Sequence, residues 1–371
     1  MLLSWAPLIE WPNGALLVVS ILRVTVTYSQ NMELPQKTQK TQEKCPASVM
    51  HVPNPVRLLF LSAGNARALG LSWGFGLAVV LLFLAFSVPL VDLMQFAVGS
   101  DLYSHIVLIP FISLYLVWLR RAHLAALIPS RSAVEIAPRA PTCSRRIARY
   151  LAGGFSLLGA LALIPSAFAA INGTVLGDLD QLAGTTLAFL LLFFVVCSLF
   201  ITHAALASCL FPLAFLLFAV PFPHFVQSWV ETLLLHGSTA VAMVCFQFYD
   251  TPVLSHQLVF QLPGFVLEVA PQCSGIHSTL VLLITSLLAG HLFLRNNGKR
   301  AALALAVLPV ALVRNGVRVF VIGQMCVDGG PAMIHSSIHR NGGPLFFALS
   351  LAPLFLLLFV LWKSEQRKVN H

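Results

Sequence analysis

Stretches of about 20 residues with almost no charge recur along this chain, and nothing else in the sequence restricts its folding so severely. In lipid every backbone N–H and C=O must be paired within the protein, which leaves helices or a closed barrel. Barrel strands would alternate apolar and polar residues over about ten positions, whereas these runs are apolar throughout. Eight of them follow from Trp73 onward: 73–91, 103–119, 150–171, 182–202, 204–221, 275–294, 300–322 and 343–362. Hydrophobic residues make up 58% of the chain and charged ones 9%. A soluble globular enzyme is excluded, because such proteins carry about a quarter charged residues. The expected fold is all-α, a polytopic transmembrane helical bundle of about eight spans.

The net charge of +9 follows from how the basic residues are distributed. Arg120, Arg121, Arg131, Arg139, Arg145, Arg146 and Arg149 all follow the second run, which places that loop in the cytoplasm by the positive-inside rule. Both termini are then cytoplasmic, and 19 of the 22 Lys and Arg residues lie inside. These residues flank membrane segments and form no aromatic-interleaved face, so the bilayer is the expected partner and nucleic acid is not. Asp92, Asp101, Asp178, Asp180 and Asp328 are expected in outer loops. Residues 1–70, rich in Gln, Lys and Thr before a Pro-punctuated stretch, read as a mobile cytoplasmic tail, or as an overextended gene start with the true start at Met32 or Met50. Residues 71–362 form the transmembrane domain, and 363–371 a basic cytoplasmic tail. Gly153, Gly154 and Gly159 are expected to permit close helix packing.

Residues 226–247 are apolar but carry Gln227, Glu231, His236 and Gln247. Counted as a further crossing they would place Arg295–Arg300 outside, so they are expected to form an interfacial or re-entrant helix on the outer face. Val253–Val269 alternates around Pro263-Gly264 and predicts a small extracytoplasmic β-hairpin leading to Cys273 at the outer membrane surface.

Three polar clusters fall on that same side. In VAPQCSGIHS, Cys273-Ser274-Gly275 precedes a helix, whose N-terminus carries partial positive charge and free N–H groups that favour a thiolate and receive an oxyanion. In VRNGVRVFVIG, Arg314 and Arg318 share one helix face, and an arginine within an apolar run costs a few kcal/mol, about 2.5–3.5 at a helix centre, unless it reaches a partner or water. HSSIHRNGGP supplies His335, His339 and Arg340, and His suits proton transfer near neutral pH. The residues alone leave alternatives open. Cys273 reads as nucleophile, as a disulfide partner of Cys326, or as an inert thiol. Arg318 reads as a functional or a snorkelling group, and His339 as acid/base, ordinary loop residue or, with His335, metal ligand. The seven Cys form no CxxC pair, and no metal or cofactor site is expected.

The runs EVAPQCSGIHS, RNGVRV and IHRNGGPLFF, preceded by YSHIVLIPFISLYLVW at 103–118, resemble the exosortases, bacterial integral-membrane cysteine enzymes regarded as protein-sorting transpeptidases. The resemblance covers roughly residues 73–362. It departs at His277, where many members have a basic residue, and at Ile106, where glycine is common after His105. It implies Cys273 as nucleophile, Arg318 as oxyanion stabiliser or substrate holder, and His339 as general acid. Ser274, Gly275, Arg314 and Arg340 are further oxyanion or substrate-positioning candidates. The implied substrates are membrane-anchored exported proteins with a PEP-CTERM-like tripartite C-terminal sorting signal, cleaved through a thioester acyl-enzyme at the periplasmic face of the inner membrane. The same resemblance links the activity to surface sorting and exopolysaccharide production, with any accessory protein separately encoded. Rival readings are a polytopic transporter and a noncatalytic scaffold of exopolysaccharide assembly.

Overall fold

The computed structural model describes residues 73–126, 153–163, 178–256, 258–270, 273–330, 332, 333 and 343–369. The proposed N-terminal tail, most of the arginine-rich loop, and His335, His339 and Arg340 lie outside them. The described residues are helical apart from one small sheet. Prolines decide where several helices break. α1 (Trp73–Ala85) and α2 (Ser87–Gly99) meet at a 63° bend. Pro89 has no N–H to give the Ala85 carbonyl, and its ring crowds that turn. The first apolar run therefore continues past residue 91, and Asp92, expected in a loop, lies inside α2.

Two compact units make up the described chain. One contains residues up to Met94 and Val107–Val220. Here α3 (Ile109–Leu119), the short α4 (Arg121–Ala126), α5 (Gly153–Leu163), α6 (Asp178–Phe200) and α7 (His203–Phe215) join α1. Aromatic contacts Phe75–Phe200 and Phe83–Phe189 set α1 antiparallel to α6. Pro212 cannot donate to the Ser208 carbonyl within α7, and Arg120 donates to that carbonyl instead. Gly159 meets Leu191 and Leu192 at ordinary contact distance, while Gly153 and Gly154 have nothing within 4 Å. Among the described residues, then, Gly159 is the one of that glycine trio that takes part in packing.

The other unit contains Gln95–Ile106 and the chain from Pro221 onward. Its helices are α8 (His224–Phe248), α9 (Ile276–Phe293), α10 (Asn297–Leu305), α11 (Val307–Gly329) and α12 (Gly343–Val369). Between α8 and α9, β1 (Leu254–His256), β2 (Val259–Leu262) and β3 (Phe265–Glu268) form an antiparallel meander. Pro263-Gly264 turns β2 into β3 as the sequence predicts, with Gly264 at φ +85°. The third strand, β1, is an addition to the expected hairpin. Pro309 separates α10 from α11 as Pro89 separates α1 from α2, since its i−4 carbonyl belongs to Leu305.

α8 and α11 run parallel in close contact. A Cβ on Gly237 would sit 2.7 Å from Leu312, one on Gly316 2.6 Å from Val241 and 2.8 Å from the Ser238 carbonyl, and one on Gly323 2.6 Å from Phe246. Small residues admit this approach, as between membrane helices generally. The interfacial reading of 226–247 is thereby corrected: α8 is one continuous helix of 25 residues, about 37 Å long, packed along a spanning-length neighbour. By contrast, the apolar stretch at 204–219 is one of the shorter helices. Five helices among the described residues are long and apolar enough to cross a bilayer, six if α1 and α2 form one broken span. The chain is an all-α polytopic helical bundle.

This unit is polar along its axis. The sheet lies at the C-terminal ends of α8 and α11, where Phe246, Phe260, Leu262, Leu267 and Val319 form one apolar cluster. At the opposite end the turn into α10 is fastened to α12. Glu365 accepts from the backbone N–H groups of Arg295 and Asn296, both at 3.0 Å, and lies 3.9 Å from Lys299. Lys299 also donates to the Leu361 carbonyl at 3.1 Å. The residues expected to form a C-terminal tail thus continue α12 as helix to Val369.

Candidate active site

Cys273 is half-buried in a short turn that ends at Gly275, the N-cap of α9, with the Cys273 N–H donating to the Ala270 carbonyl at 2.8 Å. Gly275 adopts φ +71° and ψ +19°, a left-handed conformation that a side chain disfavours. The carbonyls of this turn are gathered by two adjacent residues of α11. Asn315 Nδ2 donates to the Cys273 carbonyl at 2.8 Å, the Ser274 carbonyl at 3.3 Å and Ser238 Oγ of α8 at 3.0 Å. Arg314 Nη2 donates to the Gly275 carbonyl at 3.3 Å and to Thr279 Oγ1 at 3.4 Å. A Cβ on Gly275 would lie 2.9 Å from Arg314 Nη2 and 3.1 Å from Asn315 Oδ1.

Each residue of the Arg314-Asn315-Gly316 run therefore has a separate task. Arg314 and Asn315 hold the cysteine turn, and Gly316 lets the Ser238 backbone of α8 approach. Arg314, Asn315, Ser238 and Ser274 are all buried. Nη1 of Arg314 is buried too and has no hydrogen-bond partner among the described residues.

The thiol sits part-way along the helices of this unit. Its turn is level with Ser238, ten residues and about 15 Å before the end of α8 at Phe248, and not at the end of the helices. The reason is the length of α9, which at 18 residues spans only about 27 Å and starts part-way along its neighbours. Cys273 packs against the cluster of Leu235, Phe246, Phe260 and Val319. Arg318 is half-buried one helical turn beyond Arg314 on the same face of α11, next to Val319 of that cluster. The two guanidinium groups repel each other.

Other expected groups fall into place around this core. His277, in the first turn of α9, hydrogen-bonds the backbone of Asp101. Asp101 is thus drawn against the cysteine segment instead of standing in a free loop. Two residues on, Tyr103 is buried and donates to Gln227 Oε1 at 3.1 Å, and Gln227 donates to Glu231 at 3.0 Å. Cys326 is buried and, like Cys273, is a free thiol, so the disulfide alternative is not realised. A cavity of about 440 Å³ between α11 and α12 is lined by Val310, Val313, Arg314, Val317, Phe346 and Pro353 among others. Apart from Arg314 and Ser350 its lining is apolar, and the Ser350 hydroxyl donates to the Phe347 carbonyl of its own helix at 2.6 Å. Among the described residues no three His, Cys, Asp or Glu side chains gather as a metal-binding group.

Sequence reasoning missed Asn315 and Ser238. The signal for Asn315 was present: an amide between two arginines inside an apolar helix demands a partner.

A family model described as transmembrane exosortase matches residues 94–356. The chain belongs to the transmembrane exosortase family. No curated protein and no solved structure matches it. The matched span includes α9 and α11, so the turn bearing Cys273 and the helix that holds it are both exosortase sequence. With its several bilayer-length helices, this exosortase is a multi-pass membrane protein.

Proposed function

We propose that this exosortase is a cysteine transpeptidase or peptidase that cleaves the C-terminal sorting signals of membrane-anchored exported proteins. The observation that carries this reading is the cysteine turn itself, a half-buried thiol at the start of a helix whose following carbonyls are tied back by Asn315 and Arg314. Cys273 as thiolate attacks a substrate carbonyl, forming a C–S bond and a tetrahedral oxyanion. On collapse the C–N bond breaks, and the departing amine takes a proton from His339. An acceptor amine or water then attacks the thioester, gives up its proton and releases the thiol. Arg318 carries the countercharge for the oxyanion or for an acidic residue of the sorting motif, such as the glutamate of Pro-Glu-Pro. Arg314 already serves the Gly275 carbonyl through Nη2, which leaves Nη1 as its donor toward a substrate. Arg340 is the alternative partner of an acidic motif residue.

Sharing one bilayer with the substrate raises its effective concentration. The basic end of the bundle, with Arg295, Lys299 and Arg300, is assigned to the cytoplasm of the inner membrane and the sheet end to the periplasm. The link to exopolysaccharide production and a separately encoded accessory protein belong to the same reading.

Coexpression with a protein ending in a Pro-Glu-Pro motif, an apolar helix and a basic tail tests it. Wild-type enzyme is expected to shorten that protein, and Cys273→Ala, Arg318→Ala and His339→Ala to leave it intact. Unchanged processing by Cys273→Ala at equal expression removes the catalytic assignment and favours a scaffold.

A further inference from the structure

Three consecutive carbonyls, those of Cys273, Ser274 and Gly275, are all drawn to α11. In a trans peptide the C=O and N–H of one unit point in opposite directions. Fixing the Cys273 and Ser274 carbonyls on α11 therefore aims the N–H groups of Ser274 and Gly275 away from it. That of Gly275 also belongs to the N-cap of α9, where helix N–H groups have no intrahelical acceptor.

We propose that Asn315 is a positioning residue for carbonyl chemistry at Cys273: its buried amide orients the Ser274 and Gly275 N–H groups to receive the oxyanion that forms beside the thiol. This rests on the cysteine-transferase reading above and adds a residue to it. Asn315 touches no substrate; it acts through the backbone. Two features make the amide the controlling group. It is almost fully buried, at 2% exposure, so water does not replace its donors. Its third acceptor, Ser238 Oγ, is itself fully buried on α8, which fixes the orientation of the amide. Arg314 performs the parallel task at Gly275, but it also carries charge, so Asn315 is the cleaner test.

Asn315→Leu keeps the branched shape of the side chain and removes the donor, while Ser238→Ala removes only the α8 partner. Purified full-length enzyme in mild detergent is probed with two reagents at Cys273, the other cysteines being replaced by serine or alanine. Acetyl-Pro-Glu-Pro aldehyde adds the thiol to its carbonyl and places an oxyanion in the hole. Iodoacetamide alkylates the same sulfur by displacing iodide, with no oxyanion. Asn315→Leu is expected to weaken protection by the aldehyde about 100-fold, the scale of one lost oxyanion donor. Its iodoacetamide rate is expected to stay within about threefold of wild type, and Ser238→Ala, which loosens the amide but keeps both carbonyl bonds, to lose less aldehyde protection than Asn315→Leu with its iodoacetamide rate unchanged. On the processed substrate, kcat is expected to fall with KM held. Parallel loss of both reactivities in Asn315→Leu, equal aldehyde protection of both variants, or no protection of wild type overturns the proposal. Protection of wild type with the 100-fold difference but no cleavage of any tail removes the activity proposed above and leaves the role of Asn315 standing.

Discussion

Gly275 offers the sharpest test of how the cysteine turn is held, because the structure supplies a matched control. Gly275 and Gly264 both have positive φ, at +71° and +85°. Substituting alanine at either position incurs the left-handed penalty of about 1–2 kcal/mol. At Gly264 nothing lies within 4 Å of the added Cβ. At Gly275 the Cβ would meet Arg314 Nη2 at 2.9 Å and Asn315 Oδ1 at 3.1 Å, both in buried side chains, so the Arg314 guanidinium must move off the turn. Displacing Arg314 from the Gly275 carbonyl forfeits a charge-assisted hydrogen bond worth about 1.5–3 kcal/mol. Gly275→Ala is therefore expected to cost about 2.5–5 kcal/mol, against about 1–2 for Gly264→Ala. Reversible unfolding in mixed micelles, followed by tryptophan fluorescence, measures the difference. Equal destabilisation by the two substitutions would refute the clamp, because backbone strain alone would then account for both.

Gly316→Ala should force α8 from α11 and destabilise by about 2 kcal/mol or more, in the range of overpacked cores. Val241→Ala should restore only part of that loss, since the Ser238 backbone carbonyl stands 2.8 Å from the same Cβ; full restoration in the double variant would show that the backbone contact is unimportant. Cys326→Ala should leave processing intact and give identical mobility on reducing and non-reducing gels, as both thiols are free; a shifted band for wild type alone would contradict this. A cysteine at Gly264 in the sheet turn should react with an impermeant maleimide added to spheroplasts, and one at Gly298 in the basic turn only after lysis; the reverse pattern would invert the proposed topology. Glu365→Ala should free the Arg295–Asn296 turn and raise its amide exchange, whereas Glu365→Gln, which keeps an acceptor, should cost under about 1 kcal/mol.

How far the sequence could be read follows from which interactions are local. Helices in a bilayer satisfy their own backbones, so apolar run length was enough to declare a helical membrane bundle. The Pro263-Gly264 turn was equally legible, because its backbone requirement belongs to the residues that form it. Helix breaks at Phe86 and Ala306 also have local causes, in Pro89 and Pro309 three residues further on. The reading of 226–247 came from counting crossings with 204–221 as a full span, whereas that stretch is one of the shorter helices, and from polar residues that need not face water. Gln227 and Glu231 instead belong to a hydrogen-bonded chain with Tyr103, more than a hundred residues earlier.

By itself the sequence determined the class of fold, the cysteine-bearing turn before a helix, and the kinship carried by its short polar motifs. Only the tertiary structure decided the depth of Cys273, the parallel pairing of α8 with α11, and the grip of Asn315 on two carbonyls some forty residues away in the chain. The physical reason is that a run of apolar residues fixes a helix but not its register against its neighbours. Register is set by where Gly237, Gly316 and Gly323 allow close approach, and by where buried donors find their acceptors.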